Sequence, residues 1–261
     1  MPTATPSFVH VEKLGLKTGQ GPVYENLSFS AEKGQVVCLF GGQGAGKTAM
    51  LLSICGRMKF TSGEAKVAGW DVHDNFRRVR RISQISLIPG LNDVQPFLAL
   101  GNIVAAELAL VGKHGDRAAT DAYMKEWGFF DKRKTRFEDL HAYDTELFGI
   151  MLAMTGDPEL LAVDDVHTEL TQHQSIEVVC YLKELARKHD MAVLIACSEF
   201  DIANHADGLV IVDEQALDMR AAVLHDRPDT VSAPIIGYAN NVDTGGGHMT
   251  RSDLRAQKAG A

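Results

Sequence analysis

The sequence has no surplus of positive charge. Lys and Arg number 26 against 34 Asp and Glu in 261 residues, a formal net charge of −8. A protein that grips a nucleic-acid backbone needs a basic surface, so no nucleic acid is expected among its partners. Cysteine is also scarce, with four residues. Cys38, Cys55, Cys180 and Cys197 are scattered and form no C-x-x-C pair, which excludes a disulfide framework and the common zinc patterns. Cys38 and Cys197 sit in apolar strand-like runs, where cysteine behaves as a small buried hydrophobe, as suits a reducing cytosolic compartment. A long hydrophobic run is missing too. The longest, "LALGNIVAAELALVG", is broken by Asn102 and Glu107 and is too short and too polar to span a bilayer. Any membrane role is therefore expected to run through a partner. "MPTATPSF" has neither a basic start nor an apolar segment, so no signal peptide is expected. Internal repeats are absent.

What remains is an ordinary globular composition, with 45% hydrophobic residues, enough for a sizeable core. "FVHVEKLGL" and "NLSFSAE" show partial period-two alternation, the mark of half-buried strands. "QVVCLFG" is continuously apolar and reads as a buried strand of a parallel sheet. A glycine-rich turn follows, then "KTAMLLSICGRM" with helical spacing, and "SGEAKVAGWDV" with strand character. Between about residues 74 and 140 helical patterns dominate: the basic amphipathic "NFRRVRRI", then "LGNIVAAELALV" and "RAATDAYMKEWGFF", with "ISLIP" as a short strand among them. Helix and strand then alternate: "TELFGIMLAMTG", "LLAVDD", "HQSIEVVCYLKELARKHD", "MAVLIACS" and "GLVIVDE". Such alternation predicts an α/β fold with a parallel sheet covered by helices. From residue 243 on, three consecutive glycines and almost no apolar residues predict a disordered tail.

The strongest motif is "GGQGAGKT" at 41–48. It fits G-x-x-x-x-G-K-[ST] between a strand and a helix. Gly41, Gly42, Gly44 and Gly46, with Gln43 and Ala45 between them, let successive N–H groups converge on phosphate oxygens. Lys47 reaches the terminal phosphates, and the Thr48 hydroxyl can ligate Mg²⁺. At the end of "LLAVDD", Asp164 is placed to hold the same ion. The alternative is that it caps the following helix.

On these residues the chain resembles the nucleotide-binding subunit of ABC transporters. "YENLSFSAEKGQVVCLFGGQGAGKTAMLLSICG" resembles that family's entry hairpin and Walker A. "TSGEAKVAGWDV" is similar to the strand pair after it, "GDPELLAVDDV" to the approach to Walker B, and "AVLIACSEFDIANHADGLVIVDEQAL" to the switch strand and beyond. The resemblance covers roughly residues 8–225. It implies a P-loop NTPase of ABC type with a mixed sheet core, an N-terminal antiparallel β element and a helical subdomain at about 90–156, the whole domain running over 8–242 after a flexible 1–7. It implies ATP and Mg²⁺ as cofactors. It also implies a second ATP-binding subunit and a membrane permease as partners, and a cytoplasmic position on the inner face of the cell membrane.

The same alignment exposes departures. The family's LSGGQ falls on Leu140, His141, Ala142, Tyr143 and Asp144. Bulky side chains there hold the backbone off a phosphate, and Asp144 adds negative charge. The catalytic glutamate position holds Asp165, a carboxylate one methylene shorter, and the switch histidine position holds Ser198. These two are the candidate catalytic residues. The expected Q-loop glutamine falls near Pro89 or Gly90, with Asn92 and Gln95 both open as substitutes. No aromatic stands near Thr18 to stack on adenine, and Tyr24 is a poorly placed replacement. The D-loop aligns with Thr168, Glu169, Leu170 and Thr171. His167 and His173 read as solvated histidines, and "RRVRR" at 77–81 as a solvated helix face with a lesser prospect of touching a partner or lipid headgroups. Two functions fit: a transporter ATPase with weak hydrolysis, and a nucleotide-sensing module without turnover. An unrelated P-loop kinase fits less well, because "RRVRR" is its only candidate lid segment.

Overall fold

A computed structural model describes residues 7–166, 168–226 and 232–239. The expected disordered tail from 243, residues 1–6 and His167 lie outside the described residues. The elements run β1 (Val9–Thr18), β2 (Gly21–Ala31), β3 (Val36–Phe40), α1 (Lys47–Ile54), β4 (Ser62–Val67), β5 (Trp70–Asp71), α2 (Phe76–Ile82) and β6 (Ser83–Ile85). They continue with α3 (Leu100–Leu110), α4 (Arg117–Glu126), α5 (Ala142–Met154), β7 (Leu160–Val163), α6 (Gln172–Lys188), β8 (Ala192–Cys197), α7 (Phe200–Ala203), β9 (Gly208–Ile211), α8 (Glu214–Asp226) and β10 (Ile235–Tyr238).

All ten strands form one mixed sheet in the order β5-β4-β1-β2-β10-β9-β3-β8-β7-β6. The apolar run of β3 is buried along its whole length, because β3 pairs in parallel with β8 on one side and β9 on the other. β7 and β6 extend this parallel block, while β1, β2, β4 and β5 form the antiparallel element. The two halves join where Tyr238 of β10 pairs antiparallel with Ser28 of β2. Helix α2 packs against both β5 and β6, the two edges of the sheet, so the sheet curls.

Three apolar clusters hold the layers. One joins the β1–β2–β4 face to α1, with Leu14, Leu27, Met50, Leu51 and Ile54 sealed from solvent. A second packs α6 and α7 on the other face of the parallel strands, through Val178, Val179, Leu182 and Ile202. The third is the core of the helical part, where Leu100, Val104, Met124, Phe148 and Met151 meet. Phe148 is its pivot, with Phe129 edge-on at 5.5 Å and Phe137 tilted at 6.0 Å between centroids. Each aromatic contact of this kind adds about 1 kcal/mol to the area buried.

Two elements depart from the sequence reading. "ISLIP" is a strand only at its start, since β6 ends at Ile85. After β9 the chain forms α8 and returns as β10 in parallel with β9, where "GLVIVDE" predicts a strand to 214. Among the described residues no helix is long and apolar enough to cross a membrane.

Candidate functional site

Strands β3, β8 and β7 are parallel neighbours, so their carboxyl ends open on the same side. Residue 41 follows β3, Asp164 follows β7 and Ser198 follows β8. In open α/β sheets this edge is where ligands bind. Here it holds a cavity of about 470 Å³ lined by Gln43, Gly44, Gly46, Lys47, Thr48, Ala49, Asp164, Asp165, Thr168 and Ser198. Eight of the residues read from sequence thus converge on one space.

The loop is shaped by its glycines. Gly44 and Gly46 have φ of +82° and +81°, which side chains disfavour. A Cβ on Gly46 would also lie 2.7 Å from the backbone oxygen of Val23. Gly41 and Gly42 are tight for another reason: a Cβ would meet Val212 Cγ2 at 1.9 Å and Gln215 Oε1 at 2.4 Å, respectively. Ala45 lies at the edge of the α1-side core. The Lys47 ammonium is tucked beneath the loop. It donates to the carbonyls of Gly41 at 2.9 Å and Gly42 at 2.7 Å, and to Ser198 Oγ at 2.9 Å.

Thr48 Oγ1 donates to Asp164 Oδ2 at 2.5 Å. Burial raises the Asp164 carboxyl above its ordinary value, opposed by the Thr48 bond and reinforced by the charge of Asp165. The alternative role as a helix cap is overturned: α6 is capped by Thr171, with Gln174 completing a capping box. Asp165 has φ of +52°, a left-handed conformation uncommon for a residue with a side chain. Its Oδ2 accepts from Thr168 Oγ1 at 2.5 Å, and its carbonyl accepts from the Thr168 N–H at 3.3 Å. Asp165 is therefore held within its own turn.

Two residues escape the sequence reading, and the part played by Thr168 is not foreseen in it. Glu146, on α5, has an Oε1 sealed from solvent with no hydrogen-bond partner. Burial pushes its carboxyl up to about 7, and the charges of Asp165 and Asp164 push the same way. The available signal is a carboxylate set directly before the apolar run "LFGIMLAM". Asp213 sits between β9 and α8. Its Oδ2 accepts from the Gly42 N–H at 2.8 Å and its Oδ1 from Ala216 N–H at 2.7 Å, tying the phosphate loop to the start of α8. Its bond to Ala216 is a local helix cap, but nothing local marks the one to Gly42, which spans 171 positions. The sequence places Thr168 only in the D-loop, yet it lines the cavity and holds Asp165.

Other residues named from sequence lie outside the cavity. Tyr24 is buried, and its hydroxyl donates to Ser53 Oγ at 2.7 Å, so it offers no face to a base. Burial also pushes that phenol up to about 12. Asp144 is not a bare negative charge, because Lys132 pairs with it. Asn92 closes its own loop, accepting from the Ile88 N–H at 2.6 Å and donating to the Ser86 carbonyl at 3.1 Å. Neither Asn92 nor Gln95 lines the cavity, and none of Leu140, His141, Ala142, Tyr143 and Asp144 does. His173 is exposed, 3.6 Å from Glu177. Among the described residues no three His, Cys, Asp or Glu side chains form a metal cluster. The oxygen donors of Thr48 and Asp164 do fit Mg²⁺, which takes few protein ligands and completes its shell with phosphates and water.

Comparison with known proteins agrees with this geometry. The family model for the ABC transporter matches residues 24–168. The methionine import ATP-binding protein MetN 2 of Bacillus cereus is 25% identical over 225 residues, covering 84% of this chain. The chain spans 66% of that relative's length. Among solved structures, cbiO1 from Clostridium perfringens, part of the ABC transporter complex cbiONQ, superposes with a TM-score of 0.68 at 17% identity over 86% of this chain and 97% of its own. An ATP-binding cassette in a dimeric post-hydrolysis state, bound to ADP and Pi, gives 0.63 at 18% identity over 78% and 93%. From the phosphate loop, the strand order and these likenesses together, the chain belongs to the ABC transporter family and carries the fold of its ATP-binding domain.

Proposed function

We propose that this protein is an ATP-binding subunit of an ABC transporter, one that binds MgATP tightly and hydrolyses it slowly. The observation that carries the reading is the convergence of Lys47, Thr48 and Asp164 on one cavity under a glycine loop. Main-chain N–H groups of 44–48 would cradle the phosphates, and Lys47 would exchange its loop carbonyls for phosphate oxygens. Thr48 and Asp164 would hold Mg²⁺, which neutralises charge on the phosphate oxygens when bound. Binding of the cation also relieves the crowding of Asp164, Asp165 and Glu146.

Slow turnover follows from the residues that would direct water. Asp165 is shorter than glutamate and is engaged with Thr168. A misplacement of about 1 Å costs on the order of 100-fold in rate. Ser198 can donate a hydrogen bond but carries no positive charge. A second ATP-binding subunit, like or unlike this one, would close the cavity from outside. Permease coupling would use the surface around 88–105, where Leu91 and Phe97 are exposed by 54% and 60%. In the second reading the protein senses nucleotide without turnover, which the restraint of Asp165 favours.

MgATP affinity and phosphate release, measured on the protein alone and with its permease, test the proposal. Lys47→Ala should weaken binding at least tenfold. Tight binding without release, unchanged by Asp165→Glu, would leave only the sensing reading. Undetectable MgATP binding would overturn both.

A further inference from the structure

The basic helix α2 plays no part in the nucleotide site. It carries Arg77, Arg78, Arg80 and Arg81 in seven residues, in a chain of formal charge −8. Solvated arginines on a helix are ordinarily interleaved with acids. Here the salt bridges among the described residues include none of these four. Val79 is fully buried, which fixes the helix orientation and leaves Arg77, Arg78 and Arg81 exposed. Arg80 anchors the helix, its Nε donating to the Gly56 carbonyl at 2.6 Å.

Two large aromatics share this surface. Trp70 and Phe76 are exposed by 39% and 40%. The Arg78 guanidinium lies 3.8 Å from the Trp70 ring centroid, and those of Arg77 and Arg80 lie 5.6 and 5.4 Å from the ring of Phe76. Stacking of this kind holds a guanidinium flat and leaves its N–H edge free for an oxyanion. A hollow of about 450 Å³ lies against Phe76, Arg77, Arg78 and Arg81, with Asn75 and one carboxylate, Asp74, on its rim.

We propose that this arginine–aromatic face docks directly on the anionic headgroups of a phospholipid bilayer. Phosphodiester oxygens match the guanidinium edges, and the half-exposed Trp70 and Phe76 suit the headgroup level, where one side of a ring is apolar and the other wet. α2 lies between the edge strands β5 and β6, and the chain that follows β6 carries the exposed Leu91 and Phe97. That a membrane lies within reach rests on the permease reading, but the charge and aromatic chemistry do not. The expectation that a membrane is reached only through a partner is then incomplete.

The test is sedimentation of the full chain with vesicles of phosphatidylcholine alone or mixed with phosphatidylglycerol. Binding is expected only to the mixed vesicles and should weaken as salt rises. Each arginine near an anionic surface contributes about 1 kcal/mol, so Arg77→Ala/Arg78→Ala/Arg81→Ala should lower the partition coefficient roughly 100-fold, with Tm and MgATP affinity unchanged. Trp70→Ala should lower it a few-fold. Lys47→Ala should leave vesicle binding intact, which separates this proposal from the nucleotide reading. Equal binding to both vesicle types, no binding, or binding indifferent to the triple variant would overturn it. So would capture of polyglutamate without vesicle binding, which would assign the face to an acidic protein segment.

Discussion

Glu146→Gln tests the electrostatics of the site without touching the phosphate loop. Glu146 is held at about 7 against an ordinary 4.5. Its folded value lies above its unfolded one, so the folded state binds the extra proton across that window. The stability it confers is complete below about 4.5 and is lost as pH rises through about 7. At about 1.4 kcal/mol per pH unit, the ceiling on the loss is about 3 kcal/mol. Glutamine keeps the shape and carries no charge. Without nucleotide or Mg²⁺, the variant should match the wild type near pH 4.5 and exceed it above pH 7. For a domain of this size about 3 kcal/mol corresponds to roughly 6–10 °C in Tm. Scanning calorimetry at half-unit steps of pH reads the difference directly. A Tm difference independent of pH, or a wild type that gains on the variant as pH rises, would refute the assignment of three mutually repelling carboxyl groups.

Tyr24→Phe should cost about 1–2 kcal/mol in urea unfolding, because it leaves the fully buried Ser53 hydroxyl without its partner; a neutral result would mean that the bond is not made in solution. Gly46→Ala should weaken MgATP binding at least as much as Lys47→Ala, since its Cβ meets backbone at 2.7 Å with φ at +81° and the loop must reshape; unchanged affinity in a titration would contradict the loop geometry. Phe148→Ala should cost about 3–5 kcal/mol by denaturant unfolding, as it empties the centre of the helical core; a cost below about 1 kcal/mol would show that this cluster is not well packed.

The phosphate loop was legible because its chemistry is local. Glycine spacing, a buried strand before it and a helix after it all lie within a single window. β3, β7 and β8 were legible for a similar reason, since strands buried on both faces read as apolar runs. What lay hidden depends on distant neighbours. Nothing near Asp213 says that its carboxylate will meet Gly42, and nothing near Glu146 says that its helix will turn it toward Asp164 and Asp165. Tyr24 is a candidate from sequence only as an aromatic near Thr18, and its burial against Ser53 of α1 depends on packing that no local pattern shows. α8 is hard to read because "DEQALDMR" is mixed in polarity, although Asp213 caps its start locally through the Ala216 N–H.

The central claim is that the Lys47–Thr48–Asp164 cavity holds MgATP. Isothermal titration of the purified chain with MgATP, beside Lys47→Ala, tests it most directly. The account predicts one saturable, Mg²⁺-dependent site in the wild type, weakened at least tenfold in the variant. Equal affinity in both proteins, or no binding to the wild type, would contradict it.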